Sequence, residues 1–280
     1  AVQRAVAEGR SWLDPIEVKR LLDAYEIAAV PTFAAADAEE AVAHASTLFA
    51  QGSTVVLKIM SRDIVHKSDV GGVVLNLTSP DAVRRATADI LARAKSQRPD
   101  ARISGVMVQA MAVRAKAREL ILGLADDPTF GTVVVFGRGG TAVEIINDKA
   151  LALPPLDLQL ARSLIERTRV SRLLHAYRDV PAVKQDAVAM VLVKLAQIAA
   201  DIPDIRGLDI NPLLADEAGV LAVDARVAIG RVERKFGGSG PANFAVRPYP
   251  SQWQRRIEVK DGWRVFVRPI RPEDEPLIHS

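Results

Sequence analysis

The 280-residue chain contains no cysteine, which excludes a disulfide framework and a thiolate metal site and points to a reducing compartment. It has no run of about 18 apolar residues and no signal-peptide pattern, so membrane insertion and secretion find no support and the expectation is a cytoplasmic protein. Internal repeats are absent. A nucleic-acid surface needs a basic face interleaved with aromatic side chains, and Arg255 and Arg256 near Trp253 and Trp263 are too thin a cluster for one. The net charge of +3 is small and unevenly placed. Residues 231–280 carry ten Lys and Arg against six Asp and Glu, which leaves the first 230 residues at −1.

Apolar material is ample. At 49% hydrophobic side chains the chain can bury one large core or two modest ones. Asp14-Pro15 is an N-cap followed by proline at the first helical position, and Ile16, Val18, Leu21, Leu22 and Tyr25 continue at helical spacing, so a helix is predicted that ends before Pro31. A second helix is expected over 37–50, a buried strand over 54–59, a strand over 73–77, and a helix opened by Ser79-Pro80-Asp81 that runs to about Lys95. From Gly105 the chain turns β-rich, with strands expected over 106–111, 119–124 and 132–136, followed by helices over 156–167 and 182–200. Two further β-rich runs, 207–214 and 220–223, flank the turn 215–219, whose Gly219 permits positive φ; a hairpin is predicted there.

The organisation expected is α/β (α+β): an N-terminal lobe over 1–104, a larger sheet-bearing lobe over 105–230, a Gly-, Ser- and Pro-rich linker over 231–262, and a new segment over 263–280.

Several short runs are candidates for chemistry. Lys58 closes the strand expected over 54–59, where a cation on a rigid element can reach phosphates as a point charge; taken alone it is an ordinary solvated strand end. His66 lies in the polar run 61–73, ahead of Gly71 and Gly72, a setting suited to a mobile or closely approaching backbone; taken alone it is a surface histidine. Residues 136–144 supply a Gly-rich turn and the carboxylate of Glu144, at a spacing that is not a dinucleotide fingerprint. Leu208-Asp209-Ile210-Asn211-Pro212-Leu213 and Val223-Asp224-Ala225-Arg226 carry an amide and a carboxylate that the predicted hairpin brings together; the plain alternative is a hairpin with solvated polar side chains. His44 and His175 read as structural or solvated.

On these runs, residues 11–230 resemble the ATP-grasp region of ADP-forming acyl-CoA (acetyl-CoA) synthetases, relatives of the succinyl-CoA synthetase β subunit, in the subgroup fused to a GNAT-type acetyltransferase. The resemblance implies an ATP-grasp fold with nucleotide between a small α/β lobe and a lobe with an antiparallel sheet. It implies ATP/ADP and Mg²⁺ as cofactors, with Asn211 and Asp224 as metal ligands and Lys58 as the first nucleotide lysine. A hard cation such as Mg²⁺ takes few ligands from protein, so one amide oxygen and one carboxylate suffice when phosphates complete the shell. His66 is implied as a phosphohistidine on a swinging loop that moves phosphate between nucleotide and acyl sites. Gly71 and Gly72 would form a backbone anion nest; Gln109, Ala110 and Met111 would meet the adenine edge through their backbone, and Glu119 the ribose hydroxyls or adenine amino group. Glu144 would orient an incoming phosphohistidine or a phosphate-bound metal.

Residues 147–155 depart from the free-standing synthetases, which usually carry an arginine near Ala152. Residues 264–275 resemble the opening of a GNAT domain, so the expectation is a piece of a longer protein. Its partners would be CoA-binding and phosphohistidine-bearing domains of the same polypeptide or a partner subunit, with a GNAT domain downstream. The other reading kept open is a decayed module that senses nucleotide or acyl-CoA for a protein lysine acetyltransferase.

Overall fold

A computed structural model describes residues 1–61, 63–64, 67–140, 147–231, 244–245, 253–259, 262–270 and 274. The chain opens with two helices, α1 (Val2–Ala7) and α2 (Pro15–Ala24). The latter begins in a capping box: the Asp14 side chain accepts from Ile16 N and Glu17 N while the Glu17 carboxylate accepts from Asp14 N. Helix α1 lies ahead of the first helix that the residue pattern predicts.

A four-stranded antiparallel sheet follows, built from β1 (Thr32–Ala35), β2 (Val55–Ser61), β3 (Val73–Leu77) and β4 (Ile103–Ala110) in the order β1-β4-β2-β3. Helices α3 (Ala38–Ala50) and α4 (Pro80–Gln97) cover one face. Both start where a side chain satisfies the first free amides, Asp37 for α3 and Ser79 for α4. Strand alternation sends Leu57, Ile59, Val106 and Val108 into this helix-covered core with Leu48, Val83 and Ile90. The intervening positions Val56, Lys58, Met107 and Gln109 therefore line the other face, where Val56 and Met107 are still buried.

The second sheet has β5 (Arg118–Asp127), β6 (Gly131–Arg138), β7 (Lys149–Ala152), β8 (Ile205–Asp216), β9 (Gly219–Ala222) and β10 (Ala225–Ile229). Its order is β10-β8-β5-β6-β7, with β9 also on β8, and every described pairing is antiparallel. Helices α5 (Leu158–Glu166) and α6 (Gln185–Asp201) share one core with Leu120, Leu122, Phe136, Leu208, Ile210 and Val227. Val18, Leu21 and Leu22 of α2 belong to the same core. By packing, then, residues 2–30 sit with the large sheet, while β4 lies in the small one. Phe244, within the run read as a linker, is 2% exposed and also joins the large core. Beyond it, β11 (Arg255–Glu258) and β12 (Arg264–Val267) form an exposed two-stranded hairpin.

Candidate nucleotide site

The site is organised by an irregularity in β8. Leu120 pairs with Leu213 and Leu122 with Ile210, so β8 carries one residue more than β5 at Asn211-Pro212. A proline has no N–H for the ladder, and a bulge is where a central strand can take one. On the other edge of β8, the strands β9 and β10 are separated by Val223 and Asp224, opposite this bulge. Val223 N donates to Pro212 O at 3.1 Å and Asn211 N to Asp224 O at 3.1 Å. Asn211 and Asp224 are thus adjacent through backbone pairing. The turn between β8 and β9 is held by Asp216, whose Oδ1 accepts from Ala218 N and Gly219 N.

Lys58 faces this point from the small sheet, its Nζ 3.9 Å from Asp224 Oδ1. It is the fourth residue of a seven-residue strand rather than its end, because β2 continues to Ser61 against β4. That correction favours a fixed cation over a solvated one. Lys67 lies in the electrostatic field of Asp224. Burial holds the Lys67 ammonium below the usual lysine range, opposed by Asp224 and reinforced by Lys58 and Arg226. Arg226 pairs across strands with Asp209, whose carboxyl is pushed up by desolvation although its side chain reaches solvent; Arg226 opposes that shift and Asp224 adds to it. Neither Lys67, Asp209 nor Arg226 was assigned a role from sequence. Both Asp209 and Arg226 lie in the runs that carry Asn211 and Asp224, and their alternation with those residues was the available signal.

Glu119 and the Gly-rich turn also meet here. Gly139 N donates to Glu119 O at 2.9 Å, and Gly140 N donates to Asn211 Oδ1 at 3.1 Å. Gly140 has φ +89°, which favours glycine, and a Cβ there would displace the movable end of the Glu119 side chain. His66 and Glu144 lie outside the described residues.

Two expectations are corrected. Gly72 is not an amide donor for an anion nest: its N–H goes to Lys67 O at 2.8 Å and its carbonyl accepts from Ile59 N at 2.7 Å. Its lack of a side chain is instead required by packing, since a Cβ would meet Ile59 Cγ2 at 2.5 Å. Gly71 does adopt φ +57°. The amides of Ala110 and Met111 are likewise unavailable to an adenine edge, because they donate to Pro31 O and Thr54 O. Gln109 is 5% exposed, with Nε2 donating to Thr32 Oγ1 and to Val223 O, both at 3.1 Å. Its side chain is an internal bridge between the two sheets.

His44 stacks on Phe33 with ring centroids 4.8 Å apart, a packing role. Arg167, which caps the end of α5, donates to Leu151 O at 2.6 Å.

Among the described residues no group of three or more His, Cys, Asp or Glu could hold a metal ion by itself. The donor set of Asn211 and Asp224 does fit Mg²⁺ held jointly with nucleotide phosphates, since both supply hard oxygens and Lys58 stands beside them to take phosphate charge.

These features define an ATP-grasp protein, and the chain belongs to that family: residues 4–229 match the ATP-grasp domain. Its relatives include ADP-forming acetate–CoA ligases. The β subunit of acetate–CoA ligase [ADP-forming] I from Pyrococcus furiosus is 37% identical over 229 residues, covering 81% of this chain and 96% of the relative. Acetate–CoA ligase [ADP-forming] I from Archaeoglobus fulgidus is 36% identical, but the chain spans only 30% of its length. Among solved structures, acetyl-coenzyme A synthetase 1 of Ca. Korarchaeum cryptofilum in complex with coenzyme A, Ca-AMPCP and HgCl+ superposes with a TM-score of 0.75 at 37% identity, covering 81% of this chain and 97% of that one. A complex of the same protein with coenzyme A and Mg-AMPPCP, its phosphohistidine segment pointing towards the nucleotide binding site, gives 0.70 at 34% identity with the same coverage.

Proposed function

We propose that this chain is the nucleotide-binding module of an ADP-forming acyl-CoA synthetase that exchanges phosphate between ATP and an acyl phosphate through phosphohistidine. The observation that carries this reading is the meeting of Lys58 with Asp224 and Asn211 between the two sheets. Asn211 and Asp224 would hold Mg²⁺, which supplies charge neutralisation on the phosphates when bound. Lys58 takes phosphate charge from the opposite side, and Val56 and Met107 offer a buried apolar shelf on the same sheet face. In the chemical step a neutral imidazole nitrogen of His66 forms the N–P bond to the γ-phosphoryl while the bond to the bridging oxygen breaks and ADP leaves with the electron pair.

Acyl-CoA formation then needs CoA-binding and phosphohistidine-bearing domains, on the same polypeptide or a partner subunit. The Mg-AMPPCP complex of the Korarchaeum relative and the naming of the Pyrococcus relative as a β subunit support this. A cytoplasmic location and a GNAT domain that opens at residue 263 complete the proposal. The test is calorimetric titration with ATP and Mg²⁺, followed by assay for acid-labile phosphate on the chain. Saturable binding, weakened by Lys58→Met and Asp224→Asn, with phosphate lost in His66→Ala, is the expected result. Binding without any acid-labile phosphate would replace the transfer reading with the nucleotide-sensing one.

A further inference from the structure

Gln109 occupies a position that neither core packing nor ligand contact explains. It is a polar side chain, 5% exposed, on an inner strand of the small sheet. Its amide nitrogen has two protons and two partners. One is Thr32 Oγ1, whose own hydroxyl donates to Val30 O at 2.9 Å. The other is the carbonyl of Val223, which belongs to the large sheet and immediately precedes Asp224. Backbone bonds close the ring: Val30 N donates to Ala222 O, and Ala222 N to Ala28 O.

The segment pinned in this way is the break between β9 and β10. Val223 N is held by Pro212 O, Val223 O by Gln109, and Asp224 O by Asn211 N. A break in a strand is where backbone groups lose ladder partners, and these bonds replace the missing ladder with a fixed one. The only side chain among those partners is that of Gln109, and it comes from the opposite sheet.

We infer that Gln109 is a positioning residue for the metal–phosphate site: it fixes the Val223–Asp224 backbone, and with it the Asp224 carboxylate, relative to Lys58. The inference rests on the reading of Asp224 as a metal ligand. Lys58 and Gln109 lie on neighbouring strands of one sheet, with Val56 paired to Gln109 two positions before Lys58. The small sheet therefore delivers both the cation that faces Asp224 and the amide that orients it. Outer partners of this kind tune metal affinity by about 10- to 100-fold without touching the metal.

The test uses the whole 280-residue chain and two variants. Gln109→Leu keeps comparable bulk and removes both hydrogen bonds; Gln109→Glu keeps the shape and sets a carboxylate oxygen against the Val223 carbonyl. Mg²⁺ is titrated calorimetrically at fixed ATP, well below each variant's melting temperature, and ATP binding is measured separately with a chelator present. A positioning role weakens the Mg²⁺-dependent component about ten-fold or more in both variants while chelated ATP binding changes less than about two-fold. A merely structural role lowers the melting temperature and leaves the Mg²⁺ component in place, which overturns the inference. Should Gln109→Leu fail to fold, Gln109→Glu alone decides. Asp224→Asn separates the two levels. If it leaves Mg²⁺-dependent binding intact, the reading of the site falls; if it abolishes that binding while both Gln109 variants retain it, only the inference falls.

Discussion

Lys58 and Asp224 meet across the two sheets at 3.9 Å, with the lysine side chain 16% and the aspartate 37% exposed. At that distance and exposure the pair adds little to stability, and its value lies in the field it presents to an anion. Lys58→Met should therefore change the unfolding free energy by less than about 1 kcal/mol while weakening ATP binding by about ten-fold or more. Denaturant unfolding beside calorimetry checks both halves; a large stability loss with unchanged affinity would make the pair structural.

Asn211 Oδ1 accepts Gly140 N–H, and under the proposed function it would also offer a lone pair to metal. Asn211→Ala removes both and should weaken Mg²⁺-dependent nucleotide binding by about 10- to 100-fold. Asn211→Asp retains an acceptor oxygen and should stay within about ten-fold of the parent. Equal binding by parent and Asn211→Ala would take Asn211 out of the site.

Arg10 and Glu17 form a buried bidentate pair at 2.8 Å, and that hydrogen bonding to Arg10 is the main cause of the Glu17 carboxyl falling from 4.5 to about 2. A lowered carboxyl pKa means the unfolded chain binds more protons, so this stabilisation is complete above about pH 4.5 and disappears as pH falls toward 2. Glu17→Gln should cost about 1–3 kcal/mol at neutral pH, because Glu8 and Asp14 remain beside the Arg10 charge, and should flatten the acid limb of a stability-versus-pH curve. An unchanged acid limb would refute the assignment.

Gly71 and Gly72 should respond differently to substitution. Gly72→Ala drives a Cβ against Ile59 and the Lys67 carbonyl and is expected to destabilise by about 1–3 kcal/mol. Gly71→Asn keeps a residue tolerant of φ +57° beside the movable Arg93 side chain and should cost less than about 1 kcal/mol. Thermal unfolding of the two variants orders them.

Most of the architecture was legible because caps and alternation act locally. Asp14, Asp37 and Ser79 announced three helices, and the β-rich runs from 106 to 136 announced three strands. Helix α1 was missed because six residues with two buried positions carry almost no periodicity. The pairing partners were not legible: nothing near Val223 says that its carbonyl is met by Gln109, 114 positions away. The amides of Gly72, Ala110 and Met111, each already donating within the fold, share this cause. Residue type advertises a free amide, and only the fold tells whether another strand has already taken it.

The first and last segments of the module run side by side. Leu13 N donates to Val227 O, Ile229 N donates to Ser11 O, and Trp12 bridges Ala228 in antiparallel register. Entry and exit are therefore one strand spacing apart, about 4.8 Å. A unit whose two ends coincide can be spliced into another chain at a single point of its surface, or left free-standing, without stretching either connection. The same module making up nearly the whole of the Pyrococcus β subunit and less than a third of the Archaeoglobus ligase is what such portability produces.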